Sequence, residues 1–190
     1  AQIMVGNGGE DDLGVLDAKR TIRANLRNAG VPINLQHKRR HLKPKLVLIC
    51  DVSTSVRPVV EFMLRLVYEL HDQIHSAHSF IFIDDLIDVS AEFAQHRPEI
   101  AVERVLRDNL PGYYNTNLGF ALAHFCKDYL DRIDHRTTVI ILGDGRNNYL
   151  NPRLDAFEEI KKRARRMVWL NPENPRLWDT GDSDMMQYAP

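Results

Sequence analysis

Asp51, Ser53 and Ser55 alternate in the run D-V-S-T-S, directly after the apolar segment 45–50 (KLVLIC). Asp144 follows a second apolar run, 137–142 (TTVIIL), in the string G-D-G-R-N-N. Thr116 lies between them, where the 113–117 loop enters a helical pattern. All five side chains carry oxygen, and two are carboxylates. A hard divalent cation such as Mg²⁺ takes oxygen ligands in a near-octahedral array, keeps several waters and needs only one or two protein carboxylates. Mn²⁺ and Ca²⁺ are the alternatives with the same taste for oxygen. The spacing 51, 53, 55 suits a tight loop that turns successive donors toward one centre, with Thr116 and Asp144 approaching from neighbouring loops. The set contains neither His nor Cys, the donors Zn²⁺ favours. Taken alone, D-x-S-x-S after a strand also describes an Asx turn that caps a helix.

The elements that must position these residues are legible in the hydrophobic pattern. Segments 45–50, 79–83, 137–142 and 167–170 are short continuous apolar runs, as in strands buried on both faces. Between them, Val59, Met63, Leu66, Val67, Leu70 and Ile74 form a helical stripe over 58–74, with Pro58 tolerated in the first turn. Residues 98–109 predict a short helix. A further stripe runs through Leu118, Ala121, Leu122, Phe125 and Tyr129, and 152–166 reads as a charged amphipathic helix. Asp84-Asp85 predicts a turn into an antiparallel edge strand over 86–90. Strands alternating with helices give an α/β, three-layer, doubly wound (Rossmann-like) architecture around a mostly parallel sheet. Ligands of such sheets bind beyond the carboxyl ends of the strands, where Asp51 and Asp144 stand.

Upstream, residues 1–16 are rich in Gly and acidic residues and read as a flexible lead-in. Residues 17–30 predict a basic amphipathic helix on Ile22, Leu26 and Ala29, ended by Gly30; 31–35 predicts an edge strand, and 37–45 is a charged run. The whole segment 17–45 is expected to pack on the main domain, 46–172, and 173–190 reads as a tail.

The 190 residues, 44% hydrophobic and 27% charged, suffice for one full-sized core. A net charge of -1 argues against a dedicated nucleic-acid binder, which needs a positive excess to release counterions. The run Lys38-Arg39-Arg40-His41 reads either as a docking patch for an acidic partner or as a solvated approach to the first strand. Cys50 and Cys126 each sit in an apolar segment, as small buried hydrophobes do, which makes a reducing, cytoplasmic setting the default. No apolar run is long enough to span a bilayer, and the start at Ala1 reads as a piece of a longer protein.

With these residues in view, the chain resembles the von Willebrand factor A (VWA) domains, whose metal-ion-dependent adhesion site (MIDAS) carries D-x-S-x-S, a later Thr and a strand-terminal Asp. The similarity to the CoxE-like branch is greater and extends over about 150 residues. Its segments are R-T-I-R-A-N-L-R at 20–27, K-L-V-L-I-C-D-V-S at 45–53, F-I-F-I-D-D-L at 80–86, I-L-G-D-G-R-N-N-Y at 141–149, V-W-L-N-P at 168–172 and G-D-S-D-M at 181–185. The resemblance implies a VWA fold with metal positions at Asp51, Ser53, Ser55, Thr116 and Asp144, the last coordination place being filled by a partner's carboxylate. It also implies an accessory protein that works with a MoxR-type AAA+ ATPase in the maturation or remodelling of a client metalloenzyme. Departures from the family pattern are Tyr114-Asn115 in place of Gly-Gly, Gly143 in place of Ser, and Val56 in place of Met; none removes a ligand. The family continues into a last helix beyond the position where this chain stops.

Asn117, Arg146 and Asn147, on the same rim, are candidates for partner contact, although such residues also serve turns. A Mg²⁺-dependent phosphoryl transferase or hydrolase is the competing class, since a strand-terminal Asp among hydroxyls can act as a nucleophile. No P-loop, no G-x-S-x-G elbow and no lysine after the 137–142 strand accompany it, so the expectation is a binding module and not an enzyme. A metal-free structural VWA domain is the remaining alternative.

Overall fold

The computed structural model describes residues 18–25, 44–74, 76–108, 115–178 and 180–189. The expected lead-in at 1–16, the strand at 31–35 and the 37–43 part of the charged run lie outside the described residues. The chain divides into two units, residues 8–43 and residues 1–7 with 44–190. In the first, the described part is α1 (Ala18–Asn25), an eight-residue helix with Ile22 exposed.

The second unit alternates strand and helix from Lys45 onward. In chain order it comprises β1 (Lys45–Asp51), α2 (Arg57–Gln73), β2 (Ala77–Phe82), β3 (Leu86–Asp88), α3 (Ser90–Gln95), α4 (Pro98–Asp108), α5 (Leu118–Asp128), β4 (Thr137–Leu142), α6 (Leu154–Arg163), β5 (Arg166–Leu170) and α7 (Met185–Tyr188). The five strands form one sheet in the order β3-β2-β1-β4-β5. β1, β2, β4 and β5 are parallel, and β3 is the antiparallel edge. Among the described residues, no helix is long and apolar enough to cross a membrane.

Side chains of a strand alternate between faces, and β1 uses both. Leu46, Leu48 and Cys50 pack with Val60, Met63, Leu64 and Val67 of α2, Phe93 of α3, and Ala101, Val102 and Val105 of α4. Val47 and Ile49 join the opposite core with Leu118, Ala121, Leu122 and Phe125 of α5 and with Ala156, Phe157 and Ile160 of α6. This two-sided burial is why the strands read as continuous apolar runs. It also places the chain reversal at β1, whose successor β2 lies on one side while β4 lies on the other. The crevice at that switch point opens at the carboxyl ends of β1 and β4.

One local feature differs from the sequence expectation. The edge strand stops at Asp88, because the Asp88 carboxylate accepts the Ser90 N–H at 2.9 Å and the Ser90 hydroxyl accepts the Ser79 N–H at 2.9 Å. The backbone there leaves the ladder and turns into α3. The segment after β5, too short and irregular to show periodicity, closes over the second core: Trp178, Met185 and Tyr188 are buried, and the Tyr188 hydroxyl donates to the Pro152 carbonyl at 2.7 Å. Tyr188 also packs against the rings of Phe157 and Trp169 at 5.1 Å.

The start of α5 is held close to the loop before α6. A Cβ at Gly119 would lie 1.9 Å from the Asn151 carbonyl oxygen and 3.0 Å from two backbone carbons, so no side chain fits without moving the chain. Gly119→Ala should therefore lower stability by roughly 1–3 kcal/mol despite alanine's better helix propensity. Urea denaturation followed by circular dichroism measures this; an unchanged midpoint would refute the close packing.

Candidate metal centre

Asp51 ends β1, and its side chain is only 1% exposed. Its Oδ1 accepts the Ser53 backbone N–H at 2.7 Å, an Asx turn that reverses the chain immediately after the strand. Val52 N–H to the Phe82 carbonyl (3.1 Å) and Arg57 N–H to the Thr54 carbonyl (3.3 Å) complete a tight loop over 51–57. The alternation read from the sequence now has a geometry: Ser53 Oγ and Ser55 Oγ lie 3.1 Å apart, the first buried and the second exposed. α2 then begins with Pro58 in its first turn and without a side-chain cap, which leaves these hydroxyls uncommitted to capping.

Asp144 arrives from β4, the neighbour of β1, through Gly143. It is 2% exposed; its Oδ1 accepts the Arg146 N–H at 3.0 Å and its carbonyl accepts Asn171 Nδ2 at 3.1 Å. Gly143 is held on both sides, by its N–H to the Leu170 carbonyl (3.2 Å) and by Trp169 Nε1 on its carbonyl (2.9 Å). A Cβ at Gly143 would lie 2.9 Å from Asp51 Cβ and 3.3 Å from Asp51 Oδ2. Glycine stands at this position because the Asp51 side chain occupies the space.

Burial pushes the Asp51 carboxyl up to about 7, and the negative charge of Asp144 adds to the rise, while hydrogen bonding from Ser53 opposes it. Two enclosed carboxylates, the charge of Asp144 raising the cost of ionising Asp51, with serine hydroxyls in the adjoining loop, suit a divalent cation. Among the described residues no group of three or more His, Cys, Asp or Glu could hold a metal. The residues present fit the group.

Thr116 is buried just ahead of α5. The next residue donates its N–H to the Ile83 carbonyl at the end of β2 (2.7 Å), and Asn148 Nδ2 donates to the Thr116 carbonyl at 2.9 Å. Thr116 is thus tied both to the β2 end and to the loop that carries Asp144. The Tyr114 half of the Tyr114-Asn115 departure lies outside the described residues, and Asn115 is exposed. A cavity of about 210 Å³ opens beside Ser53 and Thr54, with Arg57 and Glu61 on its wall.

The three rim candidates have defined tasks. Asn117 caps α5, its Oδ1 accepting the Phe120 N–H at 3.0 Å. Arg146 is partly exposed and pairs with Glu173 and Asp182. Asn147 is fully enclosed: its Oδ1 accepts the Gly119 N–H (3.3 Å) and its Nδ2 donates to the Leu150 carbonyl (2.9 Å) and Asp184 Oδ2 (3.3 Å). Tyr149, which the sequence reading left without a role, is 82% exposed and holds φ at 60°. A bulky residue rarely adopts that conformation, and nothing in its pattern in the sequence signals it.

The family of VWA domain containing CoxE-like proteins matches residues 11–189. The chain belongs to that family. Its five-stranded sheet, mostly parallel with one antiparallel edge and covered by helices, is the VWA fold, and the family places the chain among VWA-type protein-interaction modules. No curated protein matches the chain. Among solved structures it is similar to proximal thread matrix protein 1 from the mussel byssus, with 15% identity, 64% of this chain and 36% of that one covered, and a TM-score of 0.45. An aerotolerance-related membrane protein from Bacteroides fragilis NCTC 9343, carrying multiple mutations to serines, shares 14% identity over 63% of this chain and 62% of its own, with a TM-score of 0.41. The chain spans about a third of the first and under two thirds of the second.

Within this VWA domain, Asn147 joins the start of α5, Leu150 and Asp184 around the loop that carries Asp144. Asn147→Ala would leave the buried Gly119 N–H without its acceptor and should cost about 1–3 kcal/mol of stability. Thermal melts of the metal-free protein measure it, and an unaltered melting temperature would show that the enclosed network carries no weight.

Proposed function

We propose that this CoxE-like VWA domain is a metal-dependent docking module. Asp51, Ser53, Ser55, Thr116 and Asp144 would hold the cation, Mg²⁺ first and Mn²⁺ or Ca²⁺ as alternatives. When bound, the cation supplies residual positive charge that attracts a carboxylate of a partner protein. The observation that carries this reading is the pair of enclosed carboxylates on adjacent strand ends, with the Ser53 and Ser55 hydroxyls 3.1 Å apart beside them.

The partner, on this reading, is a MoxR-type AAA+ ATPase or the client it remodels, a metalloenzyme under maturation, and family membership supports it. The protein acts by binding and not by catalysis: Asp51, 1% exposed and packed against Gly143, is poorly placed to attack a substrate. The cavity beside Ser53, with Arg57 on its wall, and the exposed Tyr149 are the surfaces this reading offers to a partner. A cytoplasmic setting agrees with two unpaired cysteines, one buried and one half-buried.

Asp51→Ala should abolish the Mg²⁺ heat in calorimetry and the metal-dependent association with a co-expressed MoxR-type ATPase, while a cooperative melt is retained. Association that survives both Asp51→Ala and a chelator would overturn the docking model. Tyr149→Ala should weaken the association several-fold through loss of an exposed aromatic contact while leaving the Mg²⁺ heat unchanged. Equal association of the two proteins would remove Tyr149 from the interface.

A further inference from the structure

Arg146 is a cation built in beside one of the proposed metal ligands. Its Nε lies 3.7 Å from Asp144 Oδ2. A guanidinium and a divalent cation compete for the same carboxylate oxygens, and a fork of N–H donors this close would normally close onto Asp144. It does not. The short contacts of Arg146 run the other way, from Nη2 and Nε to Glu173 Oε1 at 2.5 and 3.2 Å and from Nη1 to Asp182 Oδ1 at 2.7 Å.

Both acidic residues are themselves fixed. Glu173 Oε2 is enclosed without a hydrogen-bond partner, so the carboxylate is committed to Arg146 through its other oxygen. The Glu173 N–H donates to Asn171 Oδ1 at 2.7 Å, and Asn171 Nδ2 in turn holds the Asp144 carbonyl. Asp182 accepts the Asn148 N–H on Oδ2 at 3.3 Å and the Asn147 N–H on its carbonyl at 3.1 Å. Arg146 and Ser183 form an antiparallel bridge, and the Asp184 N–H donates to the Gly145 carbonyl at 2.9 Å. Gly181, at φ 65°, brings the backbone so near that a Cβ would lie 3.4 Å from Arg146 Nη1.

We propose that Glu173 and Asp182 are positioning residues of the metal centre: they hold the Arg146 guanidinium off Asp144 and so leave that carboxylate available to the cation. The inference rests on the reading of Asp144 as a metal ligand. Removing either acid releases the guanidinium toward the next nearest carboxylate, Asp144, and an incoming cation must then displace it. Removing Arg146 as well abolishes the competitor, so the penalty depends on the presence of Arg146.

Calorimetric titration of the full chain with Mg²⁺ and Mn²⁺ tests this, on wild type, Asp182→Asn, Asp182→Glu, Glu173→Gln, Arg146→Gln and Arg146→Gln with Asp182→Asn. Melts of each metal-free variant run alongside. Asp134→Asn, which breaks the pairs with Lys45 and Arg136 at the opposite, amino-terminal ends of β1 and β4, reports what loss of stability alone does. Asp182→Asn and Glu173→Gln should each weaken the metal roughly ten- to a hundredfold, the usual range for an outer-shell change. Asp182→Glu should largely restore affinity, Asp134→Asn should leave it unchanged, and Asp182→Asn should have little further effect once Arg146 is Gln. Wild-type affinity in both Asp182→Asn and Glu173→Gln, or an Asp182→Asn loss undiminished without Arg146, would overturn the proposal. A wild-type chain that takes up no metal overturns the metal-centre reading itself, and the proposal with it.

Discussion

Asp51 and Asp144 stand at the ends of adjacent parallel strands, both enclosed, and the charge of Asp144 adds to the burial that makes ionising Asp51 costly. A fold does not place two like charges together out of water without compensation. The surrounding residues divide that task. Ser53 N–H and Arg146 N–H each donate to one of the carboxylates, the Ser53 hydroxyl lies beside Asp51 and 3.1 Å from that of Ser55, and a side chain at Gly143 would crowd Asp51. In the reading advanced above, a divalent cation held by these residues would offset that repulsion and draw affinity from it.

The sheet makes that meeting possible. β1 lies between β2 and β4, and parallel pairing aligns Cys50 with both Ile81 and Leu142, so three loops emerge at one edge. Apolar burial on both faces anchors the strands, and the loops above them are tied by individual hydrogen bonds. The Asn147 amide links α5, Leu150 of the Asp144 loop, and Asp184. The Trp169 indole fixes Gly143 from the neighbouring strand. Positive φ at Asn148 and Tyr149 shows that this loop is held in an uncommon conformation by its neighbours, and the exposed Tyr149 ring is what it presents outward.

The segment after β5 is therefore part of the site's support. Glu173 and Asp182 approach the loop that bears Asp144, while Trp178, Met185 and Tyr188 fill the core beneath. Side chains far apart in the chain thereby share one electrostatic balance around Arg146. Its two nearest carboxylates belong to this last segment, and the third, Asp144, belongs to its own loop.

Much of this was readable before any coordinates. Apolar runs without alternation revealed strands covered on both faces, and the stripes over 58–74 and 118–130 revealed the helices between them, because these periodicities are local consequences of backbone geometry. The positions of Asp51 at the end of β1 and Asp144 just beyond β4, both enclosed, were legible from the strand ends, and Thr116 from its place ahead of a helical stripe. Short elements such as α3 and α7 were not, since four to six residues carry no period and their ends are set by Ser90, Asp88 and Tyr188 contacts. Nor did the pattern show that Asn147 is enclosed, that Gly143 yields to Asp51, or that Arg146 meets acids 27 and 36 residues onward. Strand register and chain closure decide which distant groups touch, and neither is written in the spacing of neighbouring residues. The sequence determined the elements and the chemistry of the donors; the tertiary structure decided which charges must share the space around them.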